Sequence, residues 1–173
     1  REYKALAKIA VHLGKKAESE LFERKALLIR QAILKHLWSP QEYAFFNVDR
    51  QKKIIIKRMS YNCIIPLWAK LASPVQGKNM IVSYLLNPEK MWAPYGIRTL
   101  SADDPAYNQA NILKPHSNWQ GPVWPIVNYL GMHALLNYGF RKEAQELAEK
   151  ISRWNTGSLL VGGGSGRWRR GTR

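Results

Sequence analysis

The 173-residue chain predicts a mainly helical protein: paired helices, long connections gathered on one side, and a small β-hairpin between them. Three observations carry that expectation. Apolar residues recur at helical spacing over most of positions 1–37 and 125–151. A basic, isoleucine-rich run around Asp49-Arg50-Gln51 reads as two short strands. Finally, about 35 residues from Asn87 to Gly121 follow no period, and unpatterned segments of that length inside a domain are usually functional loops.

Leu6, Ile9, Ala10 and Leu13 place a first helix that stops at Gly14, a residue suited to ending helices. A longer amphipathic pattern runs from Lys15 to Leu37 and ends before Ser39-Pro40. Tyr43 to Val48 and Lys53 to Lys57 form the expected hairpin, with Asp49 capping its turn. Helical pattern resumes over about Tyr61–Leu71 and Gln76–Leu86. Beyond Pro125, Ile126, Val127, Leu130, His133, Ala134 and Leu135 mark a helix ending near Asn137-Tyr138-Gly139, and a last one covers about Arg141 to Ile151. From residue 155 the chain turns glycine-rich with only positive charge, and a disordered tail over 155–173 is expected. The organisation is therefore a domain over 1–154 followed by that tail.

The net charge of +15 raises nucleic-acid binding as a function class. Part of the excess sits in the tail, and the cluster Arg50, Lys52, Lys53, Lys57 and Arg58 alternates around Ile54-Ile55-Ile56 as a solvated hairpin face would. No helix-turn-helix, zinc finger or ribonucleoprotein motif accompanies it, so no specific nucleic-acid partner is expected. The lone Cys63 forms no internal disulfide, and buried apolar duty suits it. His12, His36 and His133 give no metal spacing, and Gly162-Gly163-Gly164 lacks the Lys-Ser/Thr of a phosphate loop; neither metal nor cofactor is expected. With no apolar run of membrane length and no signal-peptide pattern, the expectation is a cytoplasmic protein without a membrane partner. A first residue that is not methionine suggests a processed N-terminus or a piece of something longer.

Most informative is Ser117-Asn118-Trp119-Gln120-Gly121-Pro122-Val123-Trp124-Pro125, which sets two indoles and an amide around a Gly-Pro break just before a helix. An indole offers a flat apolar face and one N–H, and an amide both donates and accepts. That kit suits a sugar ring, with its apolar C–H faces and rim of hydroxyls. The same aromatics could instead staple a loop onto a core. Asp103-Asp104 could titrate as an acid–base pair, yet Asp104-Pro105 also reads as turn chemistry, the simpler account.

Taken with Pro94-Tyr95-Gly96-Ile97-Arg98-Thr99-Leu100-Ser101, Asp104 and Tyr107-Asn108, that block resembles glycoside hydrolase family 63, above all its bacterial mannosylglycerate- and glucosylglycerate-hydrolase-like branch. The resemblance implies an all-α (α/α)6 toroid of helical hairpins, of which this chain offers about half, and inverting hydrolysis of an α-glycosidic bond. By position it implies a sugar subsite lined by Trp119, Gln120 and Trp124, with Gly121 allowing close backbone approach. Tyr95 and Arg98 would shape the adjoining loop, and His116 would reach the pocket edge. The family's general acid lies N-terminal to the matched region and its general base in an aromatic-rich segment C-terminal to the last helix. The chain is thus expected to be a fragment that binds carbohydrate but carries neither catalytic carboxylate. The runner-up is a helical carbohydrate-binding or scaffold module without catalysis.

Overall fold

The structure, a computed structural model, describes residues 1–110 and 118–155. Helix α1 (Glu2–His12) and helix α2 (Lys16–His36) form an antiparallel hairpin, turned by Gly14 at φ +69°. Its seam is made of small residues: Ala7, Ala10 and Ser19 are buried. The larger apolar residues that mark these helices in the sequence point elsewhere. Leu6, Ile9, Leu13, Leu27, Leu28 and Ile29 are all exposed, a departure from the usual rule that the periodic stripe faces the core. Only the C-terminal end of α2, through Ile33, Leu34 and Leu37, packs onto the central core.

The chain then makes two short antiparallel ladders. Strand β1 (Trp38–Ser39) pairs with β2 (Ala44–Phe45), and β3 (Asn47–Asp49) with β4 (Ile54–Ile56). The second is the hairpin expected from sequence; its turn is held by Asp49, whose Oδ1 accepts from the Gln51 and Lys52 amides at 2.9 and 3.0 Å. Next comes a 3₁₀ turn, Tyr61–Ile64, running into the single turn of α3 (Ile65–Trp68). The pattern over 61–71 is thus only partly helical, and the chain reverses at Lys70 with φ +57°.

Helix α4 (Pro74–Met80) begins with a capping box: Ser73 Oγ accepts from the Gln76 amide at 3.2 Å while the Ser73 amide donates to Gln76 Oε1 at 2.9 Å. It widens into a π turn over Ile81–Leu85. Strands β5 (Trp92–Ala93) and β6 (Gly96–Ile97) form a third small hairpin inside the stretch that shows no period. Helix α5 (Pro125–Asn137) and helix α6 (Arg141–Asn155) complete a second helical pair, turned at Gly139 with φ +91°.

Helix α5 is the central element. Val127, Ala134 and Leu135 are fully buried, and its Gly131 lets the Ile97 side chain press against the helix, where a Cβ would lie 2.1 Å from Ile97 Cδ1. Leu67, Ile81, Met91, Ile97 and Leu147 fill the surrounding core, and Cys63 is buried there as expected. Burial pushes the Cys63 thiol pKa up, so it stays a neutral core residue. Among the described residues no helix is long and apolar enough to cross a membrane.

Candidate sugar-binding site

The two long connections, α2 to α3 and α4 to α5, meet at one end of the helices. Ser60 and Leu100 form an antiparallel bridge, flanked by the Tyr61 amide donating to the Thr99 carbonyl and the Ser101 amide to the Met59 carbonyl, both at 2.9 Å. A second bridge joins Arg98 to Val123. Three segments distant in sequence thereby make one strip. Alternation along it puts Met59, Tyr61, Thr99 and Ser101 on a common face.

At one end of this strip lies the aromatic loop. Trp119 and Trp124 stack with ring centroids 4.8 Å apart and planes within 3°. Tyr61 leans on Trp119 at 5.0 Å and 44°. Trp119 remains 37% exposed between these two neighbours. The loop backbone is fixed by buried polar groups. Asn118 Oδ1 accepts from the Gln120 amide at 2.8 Å, and its Nδ2 donates to Asn108 Oδ1 at 2.8 Å and to the Ala110 carbonyl at 2.9 Å. Thr99, wholly buried, donates from Oγ1 to the Pro122 carbonyl at 2.9 Å and accepts from the Gly121 amide at 3.0 Å.

Asn128 does the same for the start of α5. Its Oδ1 accepts from the Ile97 amide at 2.7 Å, and its Nδ2 donates to the Trp124 carbonyl at 2.8 Å. The close fit also dictates two glycines. A Cβ at Gly121 would lie 2.3 Å from the Asn108 carbonyl oxygen, and one at Gly96 (φ +136°) 2.5 Å from Asn128 Oδ1.

The residues singled out from sequence divide three ways. Trp119, Gln120, Gly121 and Trp124 come together in this loop. The Trp124 indole N–H, however, donates to the Asn118 carbonyl at 2.8 Å and is spent on the loop. Gln120 is exposed; its Oε1 accepts from Asn108 Nδ2 at 2.9 Å, and its Nε2 makes no hydrogen bond among the described residues. Arg98 turns into the protein: its Nη1 donates to the carbonyls of Pro88, Lys90 and Trp92 at 2.9 to 3.0 Å, clamping the turn before β5. Tyr95 sits exposed in the β5–β6 turn and makes no ring contact with the tryptophan pair. His116 lies outside the described residues, as does the tail beyond residue 155.

Sequence reasoning passed over Tyr61, Thr99, Asn108 and Asn128 as site-building residues. The available signal was a polar residue at an otherwise apolar position: Asn128 falls in the buried stripe of α5, one turn beyond Trp124.

At the other end of the strip, Met59 and Ser101 floor an open cavity of about 230 Å³, also lined by Glu42, Lys57, Tyr84, Lys90, Asp103 and Asp104. Its carboxylates are each paired with a cation: Glu42 with Lys57 at 2.6 Å, Asp104 with Arg58 at 3.3 Å, Asp103 with Lys90 at 3.9 Å. Lys90 also lies over the Tyr84 ring, 4.3 Å from its centroid. The turn role of the acidic pair holds, for Asp104 Oδ1 accepts from the Ala106 amide at 2.8 Å and Asp103 Oδ1 from Ser101 Oγ at 2.5 Å. Desolvation, reinforced by Glu42 and Asp103, raises the Tyr84 pKa, and its hydroxyl donates to the Glu42 carbonyl at 2.9 Å. No group of three or more His, Cys, Asp or Glu among the described residues is placed to hold a metal.

The fold is shared with solved structures. A mannosylglycerate hydrolase from Thermus thermophilus, solved with Tris, superposes with TM-score 0.73 at 22% identity, over 87% of this chain and 34% of that one. Neutral trehalase from Saccharomyces cerevisiae follows at TM-score 0.65 and 20% identity, over 83% and 26%. Likeness at that identity shows a shared fold. Membership comes from sequence: the chain belongs to glycoside hydrolase family 63, since the family described as "Mannosylglycerate hydrolase MGH1-like glycoside hydrolase domain" matches residues 1–158. Mannosylglycerate hydrolase of Rubrobacter radiotolerans is 25% identical over 88% of this chain and 33% of its own length. Cytosolic neutral trehalase of Pyricularia oryzae is 29% identical over 79% and 18%. The chain thus spans about a third or less of the length of these relatives.

Proposed function

We propose that this chain forms part of an (α/α)6 toroid and builds one wall of the sugar subsite of an inverting α-glycosidase. The observation that carries the reading is the Trp119–Trp124 stack, in which Trp119 keeps 37% exposure next to the exposed Gln120 amide. Trp119 offers an apolar face to the C–H side of a pyranose, and Gln120 Nε2 donates to a ring hydroxyl. Trp124 acts from behind, holding Trp119 in place while its own N–H is tied to the loop. Arg98 and Tyr95 serve the hairpin beside the subsite, and His116 is assigned to its edge.

Inversion requires one carboxylic acid to protonate the leaving oxygen and one carboxylate to activate water on the opposite face. Glu42, Asp103 and Asp104 are held in ion pairs and turns, which fits structural duty better than that pair of roles. In this proposal both catalytic carboxylates come from outside the matched segments. Chemical-shift titration with methyl α-glucoside tests the subsite. Trp119→Ala should weaken binding about tenfold or more, the equivalent of about 1.4 kcal/mol; unchanged affinity would refute the assignment. Hydrolysis of an α-glucoside above the buffer rate by the 173-residue chain alone would show that the acid–base pair is internal.

A further inference from the structure

We propose that Asn108 is a positioning residue for the sugar loop: it fixes which end of the Gln120 amide faces outward. The site then offers a donor, and it takes a ligand group that accepts, a sugar oxygen rather than the ammonium of an amino sugar. The inference rests on the sugar-subsite reading and adds the polarity by which that subsite selects.

A side-chain amide can be turned end for end, so its bonding partners decide its polarity. Around Asn108 those partners include main-chain groups of fixed sense. The Ala110 amide can only donate, and it meets Asn108 Oδ1 at 3.1 Å; the Ala106 carbonyl can only accept, and it meets Asn108 Nδ2 at 3.2 Å. Asn118 obeys the same logic, since its Oδ1 accepts from the Gln120 amide at 2.8 Å and its Nδ2 donates to the Ala110 carbonyl at 2.9 Å. The Asn118 Nδ2 also donates to Asn108 Oδ1 at 2.8 Å, which fills the second lone pair there.

The polarity of Gln120 follows. The remaining Asn108 Nδ2 hydrogen is donated to Gln120 Oε1 at 2.9 Å, and the Asn108 main-chain amide donates to the Gln120 carbonyl at 2.8 Å, so side chain and main chain both join the two residues. With Asn108 held by its main-chain partners, reversing Gln120 would set two donors face to face and give up that bond. Gln120 Nε2 is therefore the outward group, exposed and without a hydrogen bond among the described residues. A hydroxyl answers it by accepting; an ammonium, which only donates, does not.

The test reads polarity, which a merely structural role would not move. Each hydroxyl of methyl α-glucoside is replaced in turn by hydrogen and by fluorine; a C–F group accepts weakly and never donates. In chemical-shift titrations of the chain, the fluoro probe should bind severalfold more tightly than the deoxy probe at one position. The Asn108→Asp side chain accepts but cannot donate, so Gln120 should turn over, bond through Nε2 and show Oε1 to the ligand. The fluoro advantage should then vanish, while methyl α-glucoside, able to donate as well as accept, keeps most of its affinity. Gln120→Glu, which also shows an acceptor, should abolish the advantage with Asn108 intact. If circular dichroism shows that Asn108→Asp has not folded, Asn108→Ala frees the Gln120 amide to turn and should still reduce the advantage. An advantage that survives in the folded Asn108 variant or in Gln120→Glu overturns the proposal, as does its absence at every position in wild type. Failure of the underlying reading looks different: Trp119→Ala then leaves methyl α-glucoside binding untouched, while the Gln120 side-chain amide protons still show the change of partner in Asn108→Asp without ligand.

Discussion

Thr99→Val removes one hydroxyl from the most constrained point of the site and changes almost nothing in shape. Thr99 has no exposed surface, and its Oγ1 both donates to the Pro122 carbonyl and accepts from the Gly121 amide. Valine leaves these two groups in different positions. The Pro122 carbonyl keeps the Thr99 amide as a donor at 3.3 Å. The Gly121 amide, also buried, loses its acceptor outright. An unsatisfied buried donor costs about 1–3 kcal/mol, and the carbonyl's lost bond adds about 0.5–1 kcal/mol, so a loss of about 2–3 kcal/mol is expected. For a chain of this length that lowers Tm by about 5–10 °C. Urea and thermal unfolding of the chain measure it. Thr99→Ser is the control: it keeps the hydroxyl and gives up one buried methyl, worth about 1 kcal/mol. The reasoning is refuted if valine stays within about 0.5 kcal/mol of wild type, or if serine is as damaging as valine.

Three further expectations concern other parts of the molecule. Gly77→Ala in α4 should gain about 1 kcal/mol from helix propensity. It should lose more, because the new methyl would lie 2.0 Å from the Tyr138 ring, whose hydroxyl donates to the Ala72 carbonyl at 3.2 Å. The net fall of about 1–2 kcal/mol in urea unfolding follows if overpacking dominates, and a stabilised variant would refute it. Burial raises the Cys63 pKa above its unfolded value, so folding is unaffected by the thiol below about pH 8.5 and loses stability as pH climbs through the folded value. Between pH 7.5 and 9.5 wild type should lose up to about 1 kcal/mol more than Cys63→Ala; parallel pH profiles would show that the thiol is not the source. Asp49→Ala removes the acceptor for two turn amides on an exposed hairpin and should cost about 1 kcal/mol or less, with no effect on sugar titrations.

How much of this was legible depended on where the determining contacts lie. Helices α2, α5 and α6 carry their own periodicity and stops, and the Asp49 turn bonds within itself, so local sequence places them. The β1–β2 and β5–β6 ladders are two residues long and owe their existence to packing; no pattern of two residues announces a strand. The exposed Leu6, Ile9 and Leu13 show the opposite problem, a helical stripe that reads as core-facing while Ala7 and Ala10 make the actual seam. At the site, the motif draws attention to the side chains but not to their partners. Trp124 looked like a ligand-facing indole, and only the backbone path shows its N–H closed onto Asn118. Arg98 drew notice by its place in the motif, as a residue shaping the adjoining loop, but its three carbonyl partners around the preceding turn appear only in the folded chain. Thr99 was silent because its side-chain partners are main-chain groups 22 and 23 residues away, and Asn128 showed only as a polar residue in an apolar stripe, with its Ile97 partner 31 residues away.

The strip joining Met59–Tyr61, Arg98–Ser101 and Gly121–Val123 has a bearing on the order in which the chain folds. The α1–α2 and α5–α6 pairs close over short loops and can form early, since little chain entropy is lost in bringing their halves together. The strip needs three segments brought in from far apart: the Arg98–Val123 bridge closes the α4–α5 connection on itself, and the Ser60–Leu100 bridge forms only once both large connections have been drawn to the same end. The aromatic wall is consequently among the last features to be completed. Its indole fluorescence should report the final step of refolding, not the first collapse, and a mutation that merely slows assembly will mimic one that damages the wall unless folding is allowed to run to completion.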